Sequence, residues 1–186
     1  MSKKKTIKNS NKKTFKFDLG KINFNKQQKT IFGFFLFLLG ILICIAFISY
    51  IFTWKEDQSE IGHLSRSSET KNILNIFGAS ISHFFIYKGF GIASILFAIL
   101  ISLSGITIIL NTSIEALKKR WFWGTLIVLW ISILLGFFNT SILSGIIGYE
   151  SNSFIQDYVG KIGTVAFLLF LLLSYIIIRF KITTEL

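Results

Sequence analysis

At 186 residues the chain is one domain in length, and its 52% hydrophobic content exceeds what a soluble core of that size requires. The apolar residues gather in long uncharged stretches, which marks a membrane protein and argues against a soluble enzyme. The formal net charge is +11, yet ten of the 20 Lys and Arg residues lie between Lys3 and Lys29, so the excess belongs to one segment.

Residues 1–30 are rich in Lys, Asn, Ser and Thr and read as a basic, disordered cytoplasmic tail. Phe15, Phe17, Leu19, Ile22 and Phe24 interrupt its polarity, so its second half can lie on a membrane surface. The tail serves first as a topology signal; lipid-surface binding and DNA binding are the further readings. The first span is expected over about 31–53, long enough at about 1.5 Å per residue to cross a hydrocarbon core of about 30 Å. Tyr50 and Trp54 mark its far interface. No small-residue cleavage site follows, so it reads as an uncleaved anchor. It carries the single cysteine, Cys44, which excludes an intrachain disulfide.

Residues 55–72 are charged, mixed in sign and Ser-rich, and read as a solvated loop containing His63. Over about 73–87, Leu74, Phe77, Ile81, Phe84 and Phe85 recur at helical spacing, opposite a small strip of Asn75, Gly78, Ala79 and Ser82. That pattern predicts an amphipathic helix on the outer surface, either lying in the lipid interface or packed on the bundle. His83 sits at its edge. A second span is expected over about 89–110, where Ser94, Ala98 and Ser102 recur every four residues as a ridge for close helix packing.

A third span is expected over about 121–138, behind the basic turn of Lys118, Lys119 and Arg120. Residues 139–161 read as a loop bearing Gly, Ser, Glu150 and Asp157, and a fourth, shorter span follows over about 162–178. Residues 182–186 read as a C-terminal stub or the start of a cytoplasmic linker. The Lys and Arg bias favours both termini in the cytoplasm. The fold class expected is all-α: four transmembrane helices plus an amphipathic outer-surface helix.

No G-x-x-x-x-G-K-[ST] element is present, and the two histidines lie in no metal-ligand spacing. None of the four expected spans contains Asp, Glu, Lys, Arg or His, against the usual need of ion-coupled transport for an ionisable group at membrane depth. The expectation is therefore no catalytic, cofactor or metal site in this segment. An anchoring or scaffolding role comes first, with a small multispan channel or transporter as the alternative, motivated by the outer helix and the loop glycines. Asn111-Thr112-Ser113 and Asn139-Thr140-Ser141 match the glycosylation sequon and read as coincidence.

Certain short elements, in order, resemble a known family. The first span ends in Ser49-Tyr50-Ile51-Phe52-Thr53-Trp54-Lys55-Glu56-Asp57-Gln58-Ser59. Asn75-Ile76-Phe77-Gly78-Ala79 precedes the second span, which opens with Gly89-Phe90-Gly91-Ile92-Ala93-Ser94. Ser144-Gly145-Ile146-Ile147-Gly148-Tyr149 occupies the last outer loop, and Gly160-Lys161-Ile162-Gly163-Thr164 opens the last span. From about Lys29 to Lys181 the chain resembles the N-terminal four-span domain of FtsK/SpoIIIE-type DNA translocases, in a Bacteroidota-like form. Ser144 departs from the family, which often has Gly there.

The resemblance implies a bacterial inner-membrane domain that anchors and targets a hexameric motor to the division septum, engages other division proteins and supports homo-oligomer formation. ATP, Mg and DNA would belong to the motor, whose motifs this chain lacks; it is then either a segment of a longer protein or a stand-alone relative. Trp54, Asp57, Gln58, Gly78, Ala79, Gly145, Gly148, Gly160 and Gly163 are the structural or contact elements the resemblance singles out.

Overall fold

A computed structural model describes residues 25–61 and 70–182. The tail up to residue 24, His63 and the last four residues lie outside that description. The described residues are helical, with helices α1 (Lys26–Ile61), α2 (Asn75–Ser82), α3 (Ile95–Ile109), α4 (Ile114–Leu135) and α5 (Ser141–Phe180). A wide π-type turn (His83–Phe90) and a 3-10 turn (Gly91–Ser94) join α2 to α3, and a short 3-10 turn (Gly136–Phe138) ends α4. Four helical stretches are long and apolar enough to cross a membrane: Lys26–Gln58, Asn75–Ile109, Ile114–Phe138 and Ser141–Phe180. Continuous helix is what an apolar solvent demands, because each backbone N–H and C=O must find its partner within the chain.

Two antiparallel pairs build the bundle. In the first, small residues let α1 and α3 touch backbone to backbone. A Cβ placed on Gly33 would stand 2.8 Å from the Gly105 carbonyl oxygen, and one on Gly40 would stand 2.8 Å from that of Ala98. Ser102 sits in the same seam and donates from Oγ to the Phe37 carbonyl at 3.4 Å. Ala98 and Ser102 of the small-residue ridge thus meet Gly40 of α1. Ser94 turns elsewhere and donates to the Phe85 carbonyl, closing the turn between α2 and α3. Without a hydrophobic force between helices in lipid, such close van der Waals contact is what holds a pair together.

In the second pair, α4 lies against the last part of α5. Trp130 Nε1 donates to the Leu168 carbonyl at 2.9 Å, and Trp123 meets Tyr175 edge-on at 5.1 Å between ring centroids. Contacts from α4 to α3 join the pairs: Trp121 Nε1 donates to Ser104 Oγ at 2.8 Å, and Arg120 Nη1 to Thr107 Oγ1 at 2.5 Å. Buried Ser104 and Thr107 also donate to carbonyls one helical turn back, so their hydroxyls stay satisfied away from water.

Two segments read as loops depart from the sequence reading. Residues 55–61, read as the start of a solvated loop, continue α1, and Asp57 and Asn72 of the 55–72 stretch are buried. Residues 139–161, read as a loop, are helical from Ser141 onward. Their Ser, Gly and Asn are packing residues: Ser144, Gly148 and Asn152 recur every four positions and are all buried. They meet Ser132 of α4 and Gly136 of the 3-10 turn that ends it. Of the two placements open to the 73–87 helix, α2 takes the one packed on the bundle. Its small strip of Gly78, Ala79 and Ser82 is buried, while Phe77 and Phe84 point outward.

Candidate functional site: the clasped end of the bundle

The sequence-selected residues gather mostly at the end of the bundle where α1 finishes. Asp57 is fully buried there. Its Oδ2 accepts from Thr53 Oγ1 at 2.5 Å and its Oδ1 from the Lys71 backbone N–H at 2.7 Å. Next along the chain, buried Asn72 donates from Nδ2 to the Ala46 carbonyl at 3.0 Å and accepts from the Leu74 N–H at 3.1 Å. The Ile73 N–H donates to Ser49 Oγ at 3.1 Å. Residues 71–74 are thereby stitched to the side chains and carbonyls of α1, and α2 starts from a fixed point. A buried carboxylate is tolerable in such a place because both of its oxygens accept hydrogen bonds.

Gly78 and Ala79 continue this clasp. A Cβ on Gly78 would stand 2.6 Å from Leu74 Cβ and also collide with the Asn72 side chain. Further on, the Tyr50 hydroxyl lies 2.9 Å from His83 Nδ1. It donates to that nitrogen when the ring proton sits on Nε2. His83 stacks on Tyr87 at 5.0 Å, and Tyr87 stacks on Trp54 at 6.2 Å. Lys55 Nζ lies 5.7 Å from the Trp54 ring centroid. Trp54 is thus the outer leaf of a three-ring stack, and Gln58 sits half-buried beside the carboxylate clasp.

The second cluster lies where two broken helices cross. Gly145 (φ 67°, ψ 168°) interrupts α5, and Gly91 (φ 64°) follows non-helical Gly89 in the middle of the second long stretch. Their backbones touch: a Cβ on Gly145 would stand 2.5 Å from Gly91 N, and one on Gly91 would stand 2.6 Å from the Ser144 carbonyl carbon. Side chains seal the crossing. Ser132 Oγ donates to the Ser144 carbonyl at 2.6 Å, and Asn152 Nδ2 to the Ile133 carbonyl at 2.9 Å. Asn152 Oδ1 in turn accepts from Gln156 Nε2. Ser132 lies about 10 Å along α4 from Asn139 at the helical rise. The chain therefore dips in after Thr140, turns at Gly145 and climbs back over 146–159 before turning again at Gly160.

Asp57, Gly78, Ala79, Gly145 and Gly148 are buried, so their reach is internal. Gly160 is exposed, with φ 69° and no atom near an added Cβ; Gly163 packs on Val159. What this end exposes is a set of rings the sequence reading did not select. Tyr149 is 39% exposed, Phe154 62% and Tyr158 76%, with Phe154 and Tyr158 in contact at 4.9 Å. Their positions at 149, 154 and 158 become legible only once 146–159 is recognised as a helix. Among the described residues no three His, Cys, Asp or Glu side chains gather to hold a metal.

A family model described as the 4TM region of DNA translocase FtsK/SpoIIIE matches residues 25–185. No curated protein matches the chain, and no solved structure does.

Proposed function

We propose, from the fact that this chain belongs to the family of 4TM regions of DNA translocase FtsK/SpoIIIE, that it is the membrane anchor of a septal DNA translocase. The family match across almost the whole described chain carries this reading, and four membrane-crossing helical stretches agree with it. The domain resides in the bacterial cytoplasmic membrane with both termini inside, and it targets the motor to the division septum. It meets DNA only through that motor, which also supplies the ATP and Mg chemistry; the segment itself is not catalytic.

The clasped end supports a contact role. Asp57, Asn72, Gly78, Ala79, Gly145 and Gly148 set the shape of that end, and the exposed rings of Tyr149, Phe154 and Tyr158 meet other division proteins or another copy of the domain. Exposed aromatic residues are the type of side chain enriched among those that dominate binding energy in interfaces. A fluorescent fusion of the chain, expressed in dividing cells, is expected to concentrate at midcell. Uniform labelling of the cell outline would overturn septal targeting. Midcell enrichment that survives replacement of all three rings by Ala would overturn the contact role of these rings.

A further inference from the structure

A groove of about 560 Å³ runs between α4 and the last part of α5. Phe122, Trp123, Leu126 and Trp130 form one wall, and Leu168 and Tyr175 stand in the other. The Trp130–Leu168 hydrogen bond and the Trp123–Tyr175 ring contact hold the walls at a fixed separation. The groove extends from Phe122 to Ile133 on α4, about 17 Å at the helical rise. That length is close to half of a hydrocarbon core of about 30 Å, the thickness of one leaflet.

Both walls end in a cation at the same end of the bundle. On α4, Lys119 precedes Trp123 by four residues and so continues its stripe. On α5, Arg179 follows Tyr175 by four and does the same. Both are exposed, and neither forms an ion pair with a described residue. Glu115, one turn before Lys119, is the acidic group in the first turn of α4 and makes no ion pair with it. An apolar slot one leaflet long with two cations at its mouth, unpaired among the described residues, has the polarity of one lipid molecule.

We propose that this groove holds an acyl chain of an anionic phospholipid, with its phosphate at Lys119 and Arg179. Basic residues at the membrane surface favour anionic headgroups over zwitterionic ones. A transmembrane helix of a second copy fits less well. It would run the full membrane thickness, whereas the groove runs half of it, and an uncharged helix gains nothing from two cations.

The test is native mass spectrometry of the full chain released from nanodiscs containing equal phosphatidylglycerol and phosphatidylcholine. The chain is expected to retain phosphatidylglycerol preferentially. The double variant Lys119→Ala/Arg179→Ala is expected to lose that preference by about tenfold, since each basic residue contributes separately at an anionic surface. Ser174→Trp, which fills the groove from α5, is expected to reduce retention of both lipids, with helix content by circular dichroism unchanged. Retention of the two lipids in their bulk ratio by the unaltered chain would overturn the proposal. So would full preference in the double variant, or unchanged retention in a folded Ser174→Trp chain. Disulfide dimers of Ser174→Cys in the membrane, with no lipid retained by the unaltered chain, would assign the groove to a second copy and overturn it as well.

Discussion

Gly145 and Gly160 share nearly the same backbone conformation but differ in surroundings. With φ near 68° and ψ near 170°, both occupy a region reserved for glycine, and a side chain there stores strain of about 1–3 kcal/mol. At Gly160 nothing lies near an added Cβ, so strain is the whole cost. At Gly145 the Cβ would also strike the backbone of Gly89 and Gly91, neither of which can swing aside. Gly145→Ala is therefore expected to cost about 3–5 kcal/mol and Gly160→Ala about 1–2 kcal/mol. Thermal unfolding in detergent checks the order, and equal losses would contradict it. The sequence placed both glycines in matching elements but could not separate a crossing from a free hinge, because that difference lies in the partner backbone.

The repeated Asn-Thr-Ser shows another limit of reading by motif. Asn111 and Asn139 have φ near 52°, the left-handed conformation that Asn tolerates better than other non-glycine residues. Each follows the end of a helical stretch, and the Ser or Thr behind it begins the next helix. Ser113 caps α4 by accepting from the Ala116 N–H at 3.3 Å. The tripeptide is a helix-to-helix connector in this fold. Asn111→Gly is expected to leave stability within a few tenths of a kcal/mol, whereas Asn111→Ala costs about 1 kcal/mol. Midpoints from the same unfolding assay distinguish them.

At the scale of elements, the amphipathic pattern over 73–87 was legible and its inward face was not. In water the larger apolar face turns in. Here the surroundings are apolar, so the close-packing face wins, and Gly78, Ala79 and Ser82 go inward. The same logic hides a helix in 146–159, because Ser, Gly and Asn look like loop residues until a partner helix and the turn that ends it supply Ser132 and Gly136. The carboxylate clasp decides how α2 is presented. Asp57→Ala leaves the Lys71 N–H without its acceptor and the Thr53 hydroxyl with only the Ser49 carbonyl, and is expected to cost about 2–3 kcal/mol. Asp57→Asn keeps an acceptor oxygen and is expected to cost about 1 kcal/mol. If Ala and Asn proved equally mild in unfolding experiments, the clasp would be ornamental.

For the whole molecule, the count of long apolar helical stretches followed directly from uninterrupted apolar sequence. The pairing of α1 with α3 and of α4 with α5 did not, because it depends on which small residues face each other across the membrane. Only the Ala98–Ser102 part of that seam was visible as a four-residue repeat. Gly33 and Gly40 lie in the first span seven apart, without the shorter repeat that would have flagged them. Gly40→Leu is expected to force α1 away from α3 and cost about 2–3 kcal/mol. Cysteine cross-linking between the two helices should then fall, and undiminished cross-linking would mean that the seam is not formed by these residues.

The attachment of α5 also fixes how the domain carries a mechanical load. Beyond Gly160 the helix is mostly exposed, with Thr164 and Leu168 its buried side chains. A pull on the chain past Phe180 therefore travels up a single helix that grips the rest of the protein along one side, through Trp123 and Trp130 of α4. Tension along that path loads the α4–α5 seam in shear before it reaches the first part of α5, where Ile142 packs against the core of Phe47, Tyr50 and Ile86. Gly160, with open space around it, is the joint between the pulled helix and that core.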